Sequence, residues 1–196
     1  MSAPDVLFTP LRADDWEELV RFWEETAGPE GCKVEIIEGI VTVAPPPADR
    51  HIIIAEAVQR QLYAVLSGEL GLYRTQSVAV PSRTGMFIPD LLVLPRDLLS
   101  GPGSFVSPAA AELVVEVTSP SNARHDRVAK CLGYAKAGVP LYLLIDAFAP
   151  LGPTLTLHTE PRDGLYRVLR VGTFGEPFPL PAPFGLELDT SGFLAD

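Results

Sequence analysis

Cysteine is scarce. Only Cys32 and Cys131 occur in 196 residues, which excludes a disulfide framework and a thiolate zinc spacing. Long apolar runs are missing too: none reaches the roughly 20 residues needed to span a bilayer, so no membrane is expected. The opening residues, Met1-Ser2-Ala3-Pro4-Asp5, hold no basic cluster of the kind that begins a secretory signal, and a cytoplasmic protein is expected. Basic residues are in deficit, 15 Lys and Arg against 25 Asp and Glu, for a net charge of −10. That argues against a general nucleic-acid coat, whose affinity would come from phosphate neutralisation. The chain also lacks a Gly-x-Ser-x-Gly turn or another convincing Ser/His/Asp arrangement, which disfavours a metal-independent hydrolase.

What is present describes an ordinary globular protein: 47% hydrophobic and 20% charged residues, in a length suited to one domain over 1–196. Charge is unevenly spread. Between Arg50 and Lys136 there are 9 basic and 7 acidic residues, so this stretch is the least acidic part of the chain. An anionic substrate is permitted there while the ends repel it.

Apolar spacing at Trp16, Leu19, Val20 and Trp23 predicts a helix from Thr9 to Ala27, stopped by Gly28-Pro29. Lys33–Glu38 and Ile40–Ala44 flank Gly39 as a tight hairpin, closed by Pro45-Pro46-Pro47. A second helix is expected from Ala48 to Leu66. Strands follow at about Leu72–Val80, Phe87–Leu94 and Glu112–Thr118, with a Pro- and Gly-rich loop between the last two. A third helix, 123–137, starts after Ser121 or Asn122 and ends at Gly138 in the left-handed position after a helix. Leu141–Asp146 completes a strand-helix-strand unit with parallel strands. Thr154–His158 and Leu165–Val171 form an antiparallel extension. The class is α/β, a mixed sheet with helices packed on it.

Two residues break the apolar pattern. Asp90 interrupts the run Met86–Leu94 directly after Pro89, and Glu116 lies inside Leu113–Thr118. A carboxylate in a strand buried on both faces costs several kcal/mol unless it is paired, hydrogen-bonded or metal-bound. Two of them on consecutive strands would repel one another and raise at least one pKa, and a divalent metal between them relieves both problems. That layout suits a metal-dependent phosphodiesterase, in which carboxylates hold a cation that activates water.

The ordered set of motifs resembles a family. Its pieces are Glu35-Ile-Ile-Glu-Gly-Ile-Val41, Pro45-Pro-Pro-Ala-Asp-Arg-His51, Ile88-Pro-Asp-Leu-Leu-Val93, Leu113-Val-Val-Glu-Val-Thr-Ser-Pro-Ser121, then Asp126, Lys130 and Tyr134, Gly138-Val-Pro-Leu-Tyr142, Asp146 and Phe184-Gly-Leu-Glu-Leu188. They resemble the restriction-endonuclease family of the PD-(D/E)xK nuclease superfamily, a large bacterial group long known only as a domain of unknown function. The resemblance implies a restriction-endonuclease-like mixed β-sheet flanked by helices, with its core at about 33–146. It implies a Mg²⁺- or Mn²⁺-dependent DNA endonuclease, with Asp90 and Glu116 as metal ligands, the Val117 carbonyl as a helper and Glu35 as an accessory acid. The usual lysine two positions after the glutamate is Thr118 here, and the resemblance supplies Lys130 instead.

The helical pattern reads differently at that residue. Val128, Cys131, Leu132 and Ala135 make an apolar stripe with Lys130 nearly opposite, so Lys130 and Asp126 are also readable as a surface ion pair. Arg124, His125 and Arg127 are then the alternative phosphate contacts. His51 reads as a packing or capping residue and Asp146 as a strand-end cap. A homodimer is expected, because duplex cleavage calls for two sites and the N-terminal helix and Pro-rich tail offer a partner face. The rival function is a catalytically inactive protein of the same fold, used for binding or assembly.

Overall fold

The computed structural model describes residues 15–83, 85–99 and 105–194. It begins with α1 (Trp16–Glu25), the hairpin β1 (Lys33–Ile37) and β2 (Ile40–Ala44), and α2 (Asp49–Tyr63). The hairpin turns as expected: Glu38 and Gly39 both hold positive φ, 51° and 82°, as a two-residue loop of matching twist requires. Then come β3 (Leu70–Tyr73), β4 (Ser77–Val80), β5 (Gly85–Phe87), β6 (Leu91–Pro95), β7 (Phe105–Val106) and β8 (Leu113–Val117). A π-helical turn, His125–Lys130, runs without a break into α3 (Cys131–Ala137), and Gly138 closes it at φ 83°. The strands β9 (Leu141–Asp146), β10 (Thr154–Arg162), β11 (Leu165–Thr173), β12 (Phe178–Leu180) and β13 (Leu186–Leu188) complete the chain.

Among the described residues the strands form three sheets, and the two larger ones are mixed in direction, as expected. A six-stranded sheet has the order β11-β10-β9-β8-β6-β3, a five-stranded sheet the order β2-β1-β5-β4-β7, and β12-β13 form a ribbon. β8 and β9 pair in parallel across the helix, as the strand-helix-strand reading requires, and the other neighbours in the six-stranded sheet are antiparallel. Two expected strands are each divided between the sheets. The run 72–80 becomes β3 and β4, separated by a turn with Thr75 at φ 62°. The run 87–94 becomes β5 and β6, separated by Ile88-Pro89-Asp90. Pro89 has no N–H for a ladder bond, so the chain leaves one sheet there and joins the other. Asp90 stands at the junction. The start of the expected helix, 9–14, lies outside the described residues.

Strand alternation decides what each face buries. Leu91, Val93, Leu113, Val115, Val117, Leu143 and Ile145 face α2 and the C-terminal ribbon, packed with Ile54, Val58, Phe178, Leu188 and Phe193. Leu92, Leu94, Val114, Tyr142 and Leu144 face the opposite way, toward Ile37, Val78, Phe87, Ala129 and Tyr134. Glu116 shares the parity of Val114, and Asp90 that of Leu92, so both carboxylates belong to the second face. Ile36 of β1 packs instead with Leu19 of α1, Ala79 and Met86. Its neighbours Lys33, Glu35 and Ile37 therefore turn toward the helix that carries Lys130. The Trp23 indole donates to the Val34 carbonyl at 2.7 Å, so the apolar side of α1 is used within the chain.

Candidate active site

Between the two sheets a cleft of about 250 Å³ is lined by Lys33 and Glu35 of β1, the triple proline and Ala48, His51 of α2, Asp90, and the turn Ser119–Asn122. Asp90 is its most heavily bonded group. One carboxylate oxygen, Oδ1, accepts from Lys33 Nζ at 2.6 Å. The other, Oδ2, takes Val117 N–H at 2.7 Å and the His51 ring through Nε2 at 2.9 Å. Burial pushes this carboxyl up, but Lys33 and His51 outweigh it and hold it well below the usual carboxylate range. His51 is thus a partner of the cleft carboxylate and more than a packing residue. Val117 contributes its N–H.

Glu116 lies beneath the cleft and is fully buried. Its Oε1 accepts from Tyr134 Oη at 2.8 Å and Lys130 Nζ at 3.1 Å. Its Oε2 is buried with no hydrogen-bond partner among the described residues. Burial raises its pKa to about 8; Lys130 opposes the rise, and Asp126 and Asp90 add to it. Of the two strand carboxylates it is Glu116 that is raised, chiefly by burial, with Asp90 a smaller contributor than Asp126.

Lys130 corrects the surface reading. Its side chain is 1% exposed and sits 2.9 Å from Glu35 Oε1 and 3.3 Å from Asp126 Oδ1, as well as on Glu116. The stripe that this helix buries contains Asp126, Ala129, Lys130, Gly133 and Tyr134, while Val128 is 52% exposed. Spacing alone fits this stripe as well as the apolar one; three carboxylates and the hydroxyl of Tyr134 make the interior here polar. Asp126 is also buried, its two oxygens lack hydrogen-bond geometry with any described group, and burial raises its pKa to about 7. Glu35 binds Lys130 and accepts the Ile88 N–H at 2.7 Å, so it tethers the chain just before Asp90. It is a buried member of the cluster.

The remaining candidates fall elsewhere. Arg127 is committed to Asp146, at 2.7 and 2.8 Å, and to the Phe148 carbonyl. Asp146 also accepts from Thr118 Oγ1 and Phe148 N–H, which makes it the strand-end cap that the sequence suggests. Arg124 and His125 do not line the cleft. Lys33 is the residue that sequence reasoning missed. Its signal was available: in a hairpin strand, Lys33 and Glu35 share a face.

Four carboxylates, Glu35, Asp90, Glu116 and Asp126, surround two lysines. The donor chemistry is hard oxygen, the surplus is negative once Glu116 and Asp126 ionise, and Glu116 Oε2 is a buried acceptor with no partner among the described residues. These features fit a divalent cation. Among the described residues no three acidic, His or Cys side chains are gathered as a ligand cluster.

No curated protein matches the chain. Among solved structures it is similar to the "crystal structure of a putative nuclease belonging to DUF820 from Anabaena variabilis ATCC 29413", with a TM-score of 0.67, 19% identity, and coverage of 89% of this chain and 96% of that one. At that identity the likeness shows the fold, which is restriction-endonuclease-like. A family model described as "Uma2: Putative restriction endonuclease" matches residues 16–191, and on that match the chain belongs to the Uma2 family.

Proposed function

We propose that this protein is a metal-dependent endonuclease that hydrolyses DNA phosphodiester bonds. The observation that carries the reading is Glu116: a fully buried carboxylate with one oxygen that has no partner among the described residues, close to Asp90, which immediately precedes the adjacent strand β6. Asp90 and Glu116 would hold Mg²⁺ or Mn²⁺, with the Val117 carbonyl as a further donor and Glu35 accessory to them. When bound, such a cation supplies Lewis-acid stabilisation and a water of lowered pKa. The chain's own groups hold the site in place: Lys130 neutralises the buried acids, and His51 and the Val117 N–H fix the Asp90 carboxylate. Cleavage of both strands calls for two sites, so the reading includes a homodimer. The setting proposed is the cytoplasm, consistent with two free cysteines; no described helix is long and apolar enough to cross a membrane.

The rival, an inactive protein of the same fold used for binding or assembly, draws support from Thr118 in place of lysine and from Lys33 already seated on Asp90. Incubating supercoiled plasmid with the protein and millimolar MgCl₂ or MnCl₂ separates the two. The nuclease reading expects nicked and linear products that EDTA suppresses. Intact plasmid with both metals, across pH 6 to 9, favours the rival.

A further inference from the structure

The chain has three lysines, and the fold puts them in three different situations. Lys136 is on the exposed side of α3. Lys130 is 1% exposed and enclosed by Glu35, Glu116 and Asp126. Lys33 lines the cleft with 25% of its side chain exposed. It donates to Asp90 Oδ1 at 2.6 Å and to the Ile88 carbonyl at 2.9 Å. An ammonium has three N–H donors. Those two acceptors take two of them, and the third is left for something in the cleft. A phosphate there would meet Lys33 before any other lysine, since Lys130 is separated from it by the side chains that bury it.

We propose that Lys33 is the cation that contacts the substrate phosphate, and that Lys130 serves as a buried counter-ion. The proposal rests on the nuclease reading and assigns the anion-contacting role to β1, away from the helix that carries Lys130. Lys33 is anchored through Asp90, so it positions the phosphate over the carboxylates without adding a flexible arm. Its neighbours Pro45, Pro46 and Pro47 stiffen the same wall of the cleft.

The test is binding of a fluorescein-labelled DNA duplex, followed by anisotropy as a function of NaCl, with Ca²⁺ replacing Mg²⁺ to slow turnover. Lys33→Gln keeps a donor for Asp90 but removes the charge. It should weaken binding on the order of tenfold and lower the slope of log K against log salt by about one. Lys33→Arg should restore the slope. A purely structural lysine would not move this slope. Lys136→Gln, at the exposed lysine of α3, should leave the slope and the affinity nearly unchanged. An unchanged slope in Lys33→Gln, or a loss no larger than that of Lys136→Gln, overturns the assignment while leaving the nuclease reading standing. Wild-type protein that binds no DNA at any salt overturns both.

Discussion

Replacing Lys130 by Met is expected to destabilise the protein by about 3–5 kcal/mol at pH 8, as removal of one partner from a buried ionic group does. Methionine follows the lysine stem, so the loss reports the charge and leaves little cavity. What remains is Glu35, Glu116 and Asp126 in a closed interior without the ammonium that bridged them. The pH dependence follows from the direction of the shifts. Glu116 and Asp126 have folded pKa values raised to about 8 and about 7, from 4.5 and 3.8. Between those limits the folded state holds protons that the unfolded chain has released. Their contribution to stability therefore falls as the pH rises from about 4 to about 8. Lys130 is itself raised well above 10.5, so it is charged throughout that window. The damage in Lys130→Met should be small at pH 5, where Glu116 and Asp126 are protonated, and largest at pH 8. Urea midpoints at the two pH values measure it; an equal loss at both would mean that packing, and not charge, is what Lys130 supplies.

Glu116→Gln is expected to separate function from stability. On the proposed reading it removes a metal ligand, and cleavage should drop on the order of a thousandfold, the equivalent of several kcal/mol of lost transition-state stabilisation. The metal-free protein should melt no lower than wild type at pH 8, because a carboxylate whose charged form is disfavoured by burial has gone. Lys130 keeps Glu35 and Asp126 as partners. Asp90→Asn should behave differently in the metal-free state: Asp90 is held ionised by Lys33 and His51, and losing that charge should lower the midpoint. Variants that both lose activity by simple unfolding would fail this contrast.

Much of the fold can be read from local pattern. The hairpin at Gly39, the helix ending at Gly138 and the parallel pairing of β8 with β9 each follow from residues close together in sequence. The division of two expected strands between sheets is less legible, because the apolar run 86–94 has the same composition on both sides of Pro89 and only long-range pairing shows where it splits. At the site, Asp90 and Glu116 stand out as charges in apolar strands. Lys130 does not, since helical spacing marks its stripe only if Asp126 and Lys130 are allowed inside. Lys33 and His51 reach Asp90 across 57 and 39 residues, contacts that no local pattern encodes.

The measurement closest to the central claim is the thermal midpoint of the protein titrated with Mg²⁺ or Mn²⁺ at pH 8 and at pH 6. A shared cation on Asp90 and Glu116 should stabilise wild type on the order of 2–3 kcal/mol at a hundredfold excess over its dissociation constant. The gain should shrink at pH 6, where protons compete for Glu116, and vanish in Glu116→Gln. A wild-type midpoint unmoved by millimolar Mg²⁺ and Mn²⁺ at pH 8, and indistinguishable in response from Glu116→Gln, would contradict the account.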